Sequence, residues 1–205
     1  MLLLDFDGVI LPKKYNKIVS VKATQYVQKF IKLPYKEANI MNKYMYTTFG
    51  HTVKGLEKLG YKTDIEDFNR YVYHDINYNA LFKNIHKDTD VNINDLDYII
   101  DKFNPLIFSN SPKIWYKTAL NYMNIDIKSI NMGTYLKPDP QIYKDLEKLT
   151  DKKIYFVDDN FINFSNTILN PRWENIMLDD LEIKLPDNLN IKVIPKLNHL
   201  HKIIP

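Results

Sequence analysis

The sequence contains no cysteine, so disulfides, thiolate nucleophiles and thiolate metal sites are excluded. That absence fits a reducing compartment. It also has little net charge: 28 Lys and Arg against 25 Asp and Glu leave +3. So small an excess supplies no electrostatic footprint for a nucleic-acid polymer. Long apolar runs are missing as well. The N-terminal run Met1–Leu4 stops at Asp5, too short for a signal peptide, and nothing elsewhere approaches the roughly 20 residues of a membrane span. No internal repeat or low-complexity linker interrupts the chain. A cytoplasmic protein is therefore expected, with neither a membrane nor a nucleic-acid polymer as partner.

What is present suits a packed domain. Across 205 residues, 45% are hydrophobic and 26% charged, ordinary globular usage that supports one domain, or one domain with an insert. Short apolar runs that end in polar or acidic residues alternate with helical patterns. The runs are Met1–Leu4, Pro105–Phe108, Ser129–Met132, Ile154–Val157 and Asn175–Leu178. Helix candidates between them cover Pro112 to about Met123, Pro140 to about Leu149, and a short stretch from about Asn160. Such alternation predicts an α/β fold, a Rossmann-like parallel sheet with helices on both faces. Residues 14–101 break the pattern with helical signals only: Val19–Phe30, Tyr35–Thr47, Thr52–Leu59, Asp64–Tyr73 and Asn94–Asp101. They read as a helical cap inserted after the first strand, with the core formed by 1–13 and 102–205. Ile191–Ile194 is expected as an added edge strand.

The chemistry sits at strand ends, where open parallel sheets bind ligands. Asp5-Phe6-Asp7-Gly8 places two carboxylates directly after the first strand, and Asp158-Asp159 follows the fourth. Converging carboxylates repel unless a cation lies among them, and a hard divalent ion such as Mg2+ prefers oxygen ligands. Asp5, Asp7, Asp158 and Asp159 are the candidate metal ligands. Ser109-Asn110 ends the second strand with a hydroxyl and main-chain N–H groups suited to phosphate oxygens. Lys137, just before a helix, brings an ammonium to the same end. Other acidic strings compete. Asp88-Thr-Asp90 and Asp95-Leu-Asp97 read as solvated acids, and Asp179-Asp180 follows a strand one element too late.

In order and residue type, Asp5-Phe-Asp7-Gly-Val, Ser109, Lys137-Pro138 and Asp158-Asp159 resemble the haloacid dehalogenase (HAD)-like hydrolase superfamily. Phe49-Gly50-His51-Thr52-Val53-Lys54-Gly55-Leu56 in the insert resembles the cap of its pyrimidine 5′-nucleotidase-like subgroup. Gly8-Val9-Ile10 departs from the Asn-Thr-Leu common there, and Lys54 stands where an arginine is frequent. The resemblance implies a Mg2+-dependent phosphomonoester hydrolase acting on a nucleoside monophosphate or another small phosphorylated metabolite. Asp5 is then the nucleophile and Asp7 the acid and base. Ser109, Asn110 and Lys137 bind phosphate, and His51 and Lys54 are the first cap residues to test for substrate contact. Phe49 and Tyr44 are read mainly as packing, and Trp115 and Trp173 as core. Relatives that release halide have no acid at the position of Asp7, because a halide leaves without a proton. A sugar-phosphate phosphatase or phosphoglucomutase-like enzyme is the nearest alternative, and a non-catalytic module on the same fold is the alternative of another kind.

Overall fold

The computed structural model describes residues 1–88, 93–179, 186 and 188–205. Asp90 and Asp180, the second members of two competing acidic strings, lie outside the described residues. Six strands form one parallel sheet: β1 (Leu2–Leu4), β2 (Leu106–Ile107), β3 (Lys128–Ser129), β4 (Ile154–Asp158), β5 (Trp173–Leu178) and β6 (Ile191–Ile194). Their spatial order is β3-β2-β1-β4-β5-β6. Strand order therefore reverses between β1 and β4, and the crevice of an open α/β sheet opens there.

Side-chain alternation explains why these runs are strands. Leu3, Ile154 and Phe156 face one apolar layer with Phe108, Trp173 and α8 (Pro140–Glu147). Leu2, Leu4 and Val157 face the other layer, with α7 (Lys113–Met123). Both faces are covered, so the strands read as nearly continuous apolar runs. The register pairs Leu4 with Val157, which brings the next residues, Asp5 and Asp158, side by side at the carboxyl ends of β1 and β4.

The third strand is shorter and earlier than Ser129–Met132. After the Ile130 N–H bonds to the Ile107 carbonyl at 2.9 Å, the chain turns off the sheet. Asn131 Oδ1 accepts from the Gly133 N–H at 3.1 Å, a local closure that competes with strand pairing. The short helix expected from about Asn160 is a 3-10 turn over Phe161–Phe164.

The insert begins with four packed helices: α1 (Lys17–Phe30), α2 (Tyr35–Phe49), α3 (Thr52–Lys58) and α4 (Ile65–Tyr73). Asp64 caps α4 by accepting from the N–H groups of Glu66 at 2.7 Å and Asp67 at 3.3 Å, satisfying two of the helix's orphan donors. Tyr26 of α1 meets Phe68 of α4 edge-on at 5.1 Å. The rest of the insert behaves differently. Phe82 of α5 (Tyr78–Phe82) packs at a tilt against Trp115 of α7, 5.2 Å between ring centroids. α6 (Ile93–Phe103) lies against the C-terminal turn Leu197–Lys202. Within the 14–101 segment, α1–α4 thus pack mainly on one another, whereas α5 and α6 contact elements outside it. Helicity alone could not divide the insert, since α5 and α6 are as helical as the others.

Asp88 also departs from its expected solvated role. It accepts from Lys14 Nζ at 2.5 Å and the Tyr15 hydroxyl at 2.6 Å, tying the chain that leaves the sheet to the end of the insert. Among the described residues no helix is long and apolar enough to cross a membrane.

Candidate active site

Asp5 extends β1 beyond the sheet, fixed by its N–H to the Val157 carbonyl at 2.9 Å. Its Oδ1 accepts from the Phe6 N–H at 2.7 Å and lies 3.1 Å from Lys137 Nζ. The main chain then turns sharply: Gly8 adopts φ +80°, and its N–H bonds to the Leu11 carbonyl at 2.8 Å. A Cβ on Gly8 would lie 2.2 Å from Asp159 Oδ2, so glycine supplies both the backbone angle and the space for that carboxylate.

Asp158 is fully buried and oriented by three donor groups. Its Oδ1 accepts from the Asn160 N–H at 2.8 Å and from Asn163 Nδ2 at 3.0 Å. Its Oδ2 accepts from Lys137 Nζ at 2.6 Å and from the same Asn163 amide at 2.9 Å. Lys137 is 1% exposed. Burial opposes its charge, but the Asp158 and Asp5 carboxylates more than reverse this and hold the ammonium above its ordinary range. The lysine thus bridges the ends of β1 and β4 as a buried counter-charge.

Oxygen atoms of Asp5, Asp158 and Asp159 lie within 4.8 Å of one another. Asp159 Oδ1 is buried with no hydrogen-bond partner, while Lys13 Nζ lies 3.2 Å from Oδ2. An orphaned carboxylate oxygen is costly unless something electropositive meets it. A hard cation with oxygen ligands fits this donor set. Burial first, then the charge of Asp5, pushes the Asp159 carboxyl up to about 6.

Asp7 is held by two donors. Trp115 Nε1 donates to Oδ1 at 2.8 Å, and the Ser111 hydroxyl donates to Oδ2. Burial and then the neighbouring Asp5 charge push its carboxyl up to about 7, against the pull of those two hydrogen bonds. Neither Ser111 nor Trp115 had been singled out as a site residue. Trp115 is core as expected, fully buried, yet its one polar atom points at the site.

Ser109 and Asn110 end the second strand region beside Asp5. Ser109 Oγ accepts from the Ser111 N–H at 3.2 Å, which leaves its own proton available for another acceptor. The Asn110 side chain is committed to protein: Oδ1 accepts from the Lys137 N–H at 2.7 Å, and Nδ2 donates to the Lys137 carbonyl at 3.0 Å. Through its side chain Asn110 therefore clamps Lys137, leaving only its main chain for a phosphate oxygen. The Lys137–Pro138 peptide is cis.

The cap residues expected to touch substrate are placed elsewhere. His51 is 8% exposed and caps α3, its Nδ1 accepting from the Val53 N–H at 3.2 Å. Its ring meets Phe68 edge-on at 4.8 Å, and burial, then Lys54, pushes its proton affinity down to about 3. In this packing the ring is buried and serves as the cap of α3. Lys54 lies 3.5 Å from Glu57 and lines a cleft of about 270 Å3 with Thr134 and Leu136. None of the carboxylates of the cluster lines that cleft. Tyr44 meets Phe49 edge-on at 6.0 Å, as packing.

Tyr46 of α2 was not expected at the site. Burial first, then the charges of Asp159, Asp5, Asp158 and Asp7, push its hydroxyl well up. The residue is nonetheless 43% exposed. No periodicity could distinguish it from the other tyrosines of α2.

Sheet order, the inserted helical bundle and carboxylates at the β1 and β4 ends together define the HAD-like α/β fold. Solved structures agree. A HAD-hydrolase, YfnB from Bacillus subtilis, bound to magnesium, aligns at 14% identity with a TM-score of 0.58, over 99% of this chain and 97% of that one. A HAD phosphatase from Thermococcus onnurineus aligns at 17% identity and 0.53, over 99% and 96%. The L-2-haloacid dehalogenase PA0810 aligns at 13% and 0.55, over 100% and 98%. Identities this low establish likeness of fold. No protein-family model and no curated protein matches the sequence.

Proposed function

We propose that this chain is a Mg2+-dependent phosphomonoester hydrolase that works through a phosphoaspartate on Asp5. The observation that carries the reading is Asp7. A second carboxyl, two residues from the nucleophile, with its proton affinity raised to about 7, is useful where the leaving group must take a proton. An alkoxide must and a halide need not, which favours phosphoryl transfer although dehalogenases share the fold.

Asp5 attacks phosphorus as the ester oxygen departs, and Asp7 hands its proton to that oxygen. Asp7, now a carboxylate, takes a proton from the water that attacks the phosphoaspartate, and Asp5 is released with inorganic phosphate. Splitting one hard displacement into two is the advantage of a covalent intermediate. Ser109 donates its free hydroxyl proton to a phosphoryl oxygen, and Lys137 offers a second positive contact. Asn110 and Asn163 keep Lys137 and Asp158 in place. Asp5, Asp158, Asp159 and the Asp7 main-chain carbonyl would hold the cation, whose charge offsets that of the phosphoryl group.

The substrate is a small phosphorylated metabolite. Nucleoside monophosphates are the first class to test, because the cap motif resembles the pyrimidine nucleotidases. Sugar phosphates are the second. The test is phosphate release across both classes with Mg2+, for the wild type and Asp5→Asn. Turnover by the wild type alone supports the reading. A folded wild type with no turnover on either class, or an active Asp5→Asn, overturns it.

A further inference from the structure

We propose that Trp115 and Ser111, together with Tyr73 of the cap, are positioning residues that choose which oxygen of Asp7 carries the transferable proton. This inference rests on the phosphatase reading and concerns the leaving group. An indole N–H is a donor only, whereas a hydroxyl both donates and accepts. Trp115 Nε1, 2.8 Å from Asp7 Oδ1, therefore keeps Oδ1 an acceptor in either protonation state. The proton is confined to Oδ2, the atom facing Ser111. There the Ser111 hydroxyl donates to Oδ2 in both states, so the contact survives proton transfer and the Oδ2 proton is left for the ester oxygen.

Both members of this clamp touch the cap. The Tyr73 hydroxyl lies 3.4 Å from Ser111 Oγ, and its ring lies 5.6 Å from that of Trp115. Tyr73 is 6% exposed and Trp115 fully buried, so neither can leave its place without disturbing packing. Tyr73 ends α4. The proton-bearing face of Asp7 is thus set by one core helix, one strand-end loop and one cap helix acting on a single carboxyl. In the first step the bond from phosphorus to the ester oxygen breaks as the bond to Asp5 forms, and the Oδ2 proton moves to the departing oxygen. In the second, Oδ2 recovers a proton from water.

Leaving groups provide a readout that a merely structural role would not move. Aryl phosphates expel a stable phenolate with little help from an acid, whereas alkyl phosphates need the proton. Trp115→Phe and Ser111→Ala are compared with the wild type on p-nitrophenyl phosphate and on an alkyl phosphate the wild type turns over. Expected is a loss in kcat/KM, which reports leaving-group departure and not the shared hydrolysis of the phosphoaspartate, of about tenfold or more on the alkyl ester and under about threefold on the aryl ester, a part of the roughly 100-fold or more that a general acid supplies. Equal losses on both esters, or none, overturn the proposal. An inactive wild type overturns the phosphatase reading instead, and the clamp is then read by stability. Asp7→Ala and Trp115→Phe should be non-additive in urea unfolding, because each removes the one hydrogen bond that joins the two residues. Additive losses would refute the clamp itself.

Discussion

Replacing Lys137 by methionine tests the electrostatic centre of the site. The lysine ammonium lies 2.6 Å from Asp158 Oδ2 and 3.1 Å from Asp5 Oδ1, with 1% of its side chain exposed. Methionine is unbranched, one heavy atom shorter, and suits the rings of Phe108 and Phe156, whose centroids lie 5.1 and 5.4 Å from Nζ; a thioether packs well against aromatics. Cavity formation is therefore minor, and the loss reports charge. Removing one partner of a buried ion pair costs about 3–5 kcal/mol, because the other is left uncompensated. Asp158 keeps its Asn160 and Asn163 donors, whereas Asp5 retains only the Phe6 N–H, so most of the strain falls on Asp5. The sign with pH follows. Without the ammonium, the folded carboxylates bind protons more tightly than the unfolded ones, so the variant's deficit shrinks as pH falls. Urea unfolding in chelator near neutral pH and at about pH 5 should show a deficit of about 3–5 kcal/mol in the first condition and clearly less in the second. Excess Mg2+ near neutral pH should also reduce it. A deficit below about 1 kcal/mol, or one independent of both pH and Mg2+, would refute a buried charge triad.

Gly8→Ala should force the Asp159 carboxylate aside, since its Cβ would sit 2.2 Å from Oδ2. Mg2+ affinity measured by calorimetry is expected to fall about 10-fold or more, and unchanged affinity would remove Asp159 from the metal set. Gly50→Ala should loosen cap docking, because its Cβ would lie 2.7 Å from the Lys137 carbonyl oxygen and φ is +77°. Hydrogen exchange should then rise along α2 and α3 while the β4 and β5 amides stay protected; uniform protection would contradict this. Glu174, on β5, lies 2.5 Å from Lys153 and 2.7 Å from Lys192. Burial pushes its carboxyl up, but the two lysines more than reverse that and hold it below the usual range. Its stabilisation is therefore complete above the ordinary glutamate value and lost as pH falls through the lowered one. Glu174→Gln should cost about 0.5–1 kcal/mol near neutral pH, modest because both lysines are half exposed. Once the pH lies below the lowered folded-state value the difference should vanish, and a gap that persists there would mean packing rather than charge.

Much of the catalytic end was readable along the chain because strands and their endings are local events. Apolar runs such as Met1–Leu4 and Ile154–Val157 become strands through their own β-propensity and burial, and an acid placed directly after one must emerge at the carboxyl edge. Asp5, Asp158 and Asp159 converge in the structure for that reason. Helix starts were equally local: Asp64 caps α4 from an adjacent position.

Tertiary structure alone decided the partners. Whether His51 faces a ligand or the cap interior depends on Phe68, 17 residues along the chain, and burial made it neutral and structural. Asn110 carries the donors of a phosphate binder, yet its side chain is consumed by the Lys137 main chain. Trp115 reaches Asp7 across more than a hundred residues, with nothing in its flanking sequence to separate a core indole from one that holds a carboxylate. Residue type and spacing determine which groups a chain possesses and at which strand end they emerge. Which hydrogen bonds those groups make depends on chain segments that meet only after the sheet has closed, because hydrogen bonds are short-ranged and directional.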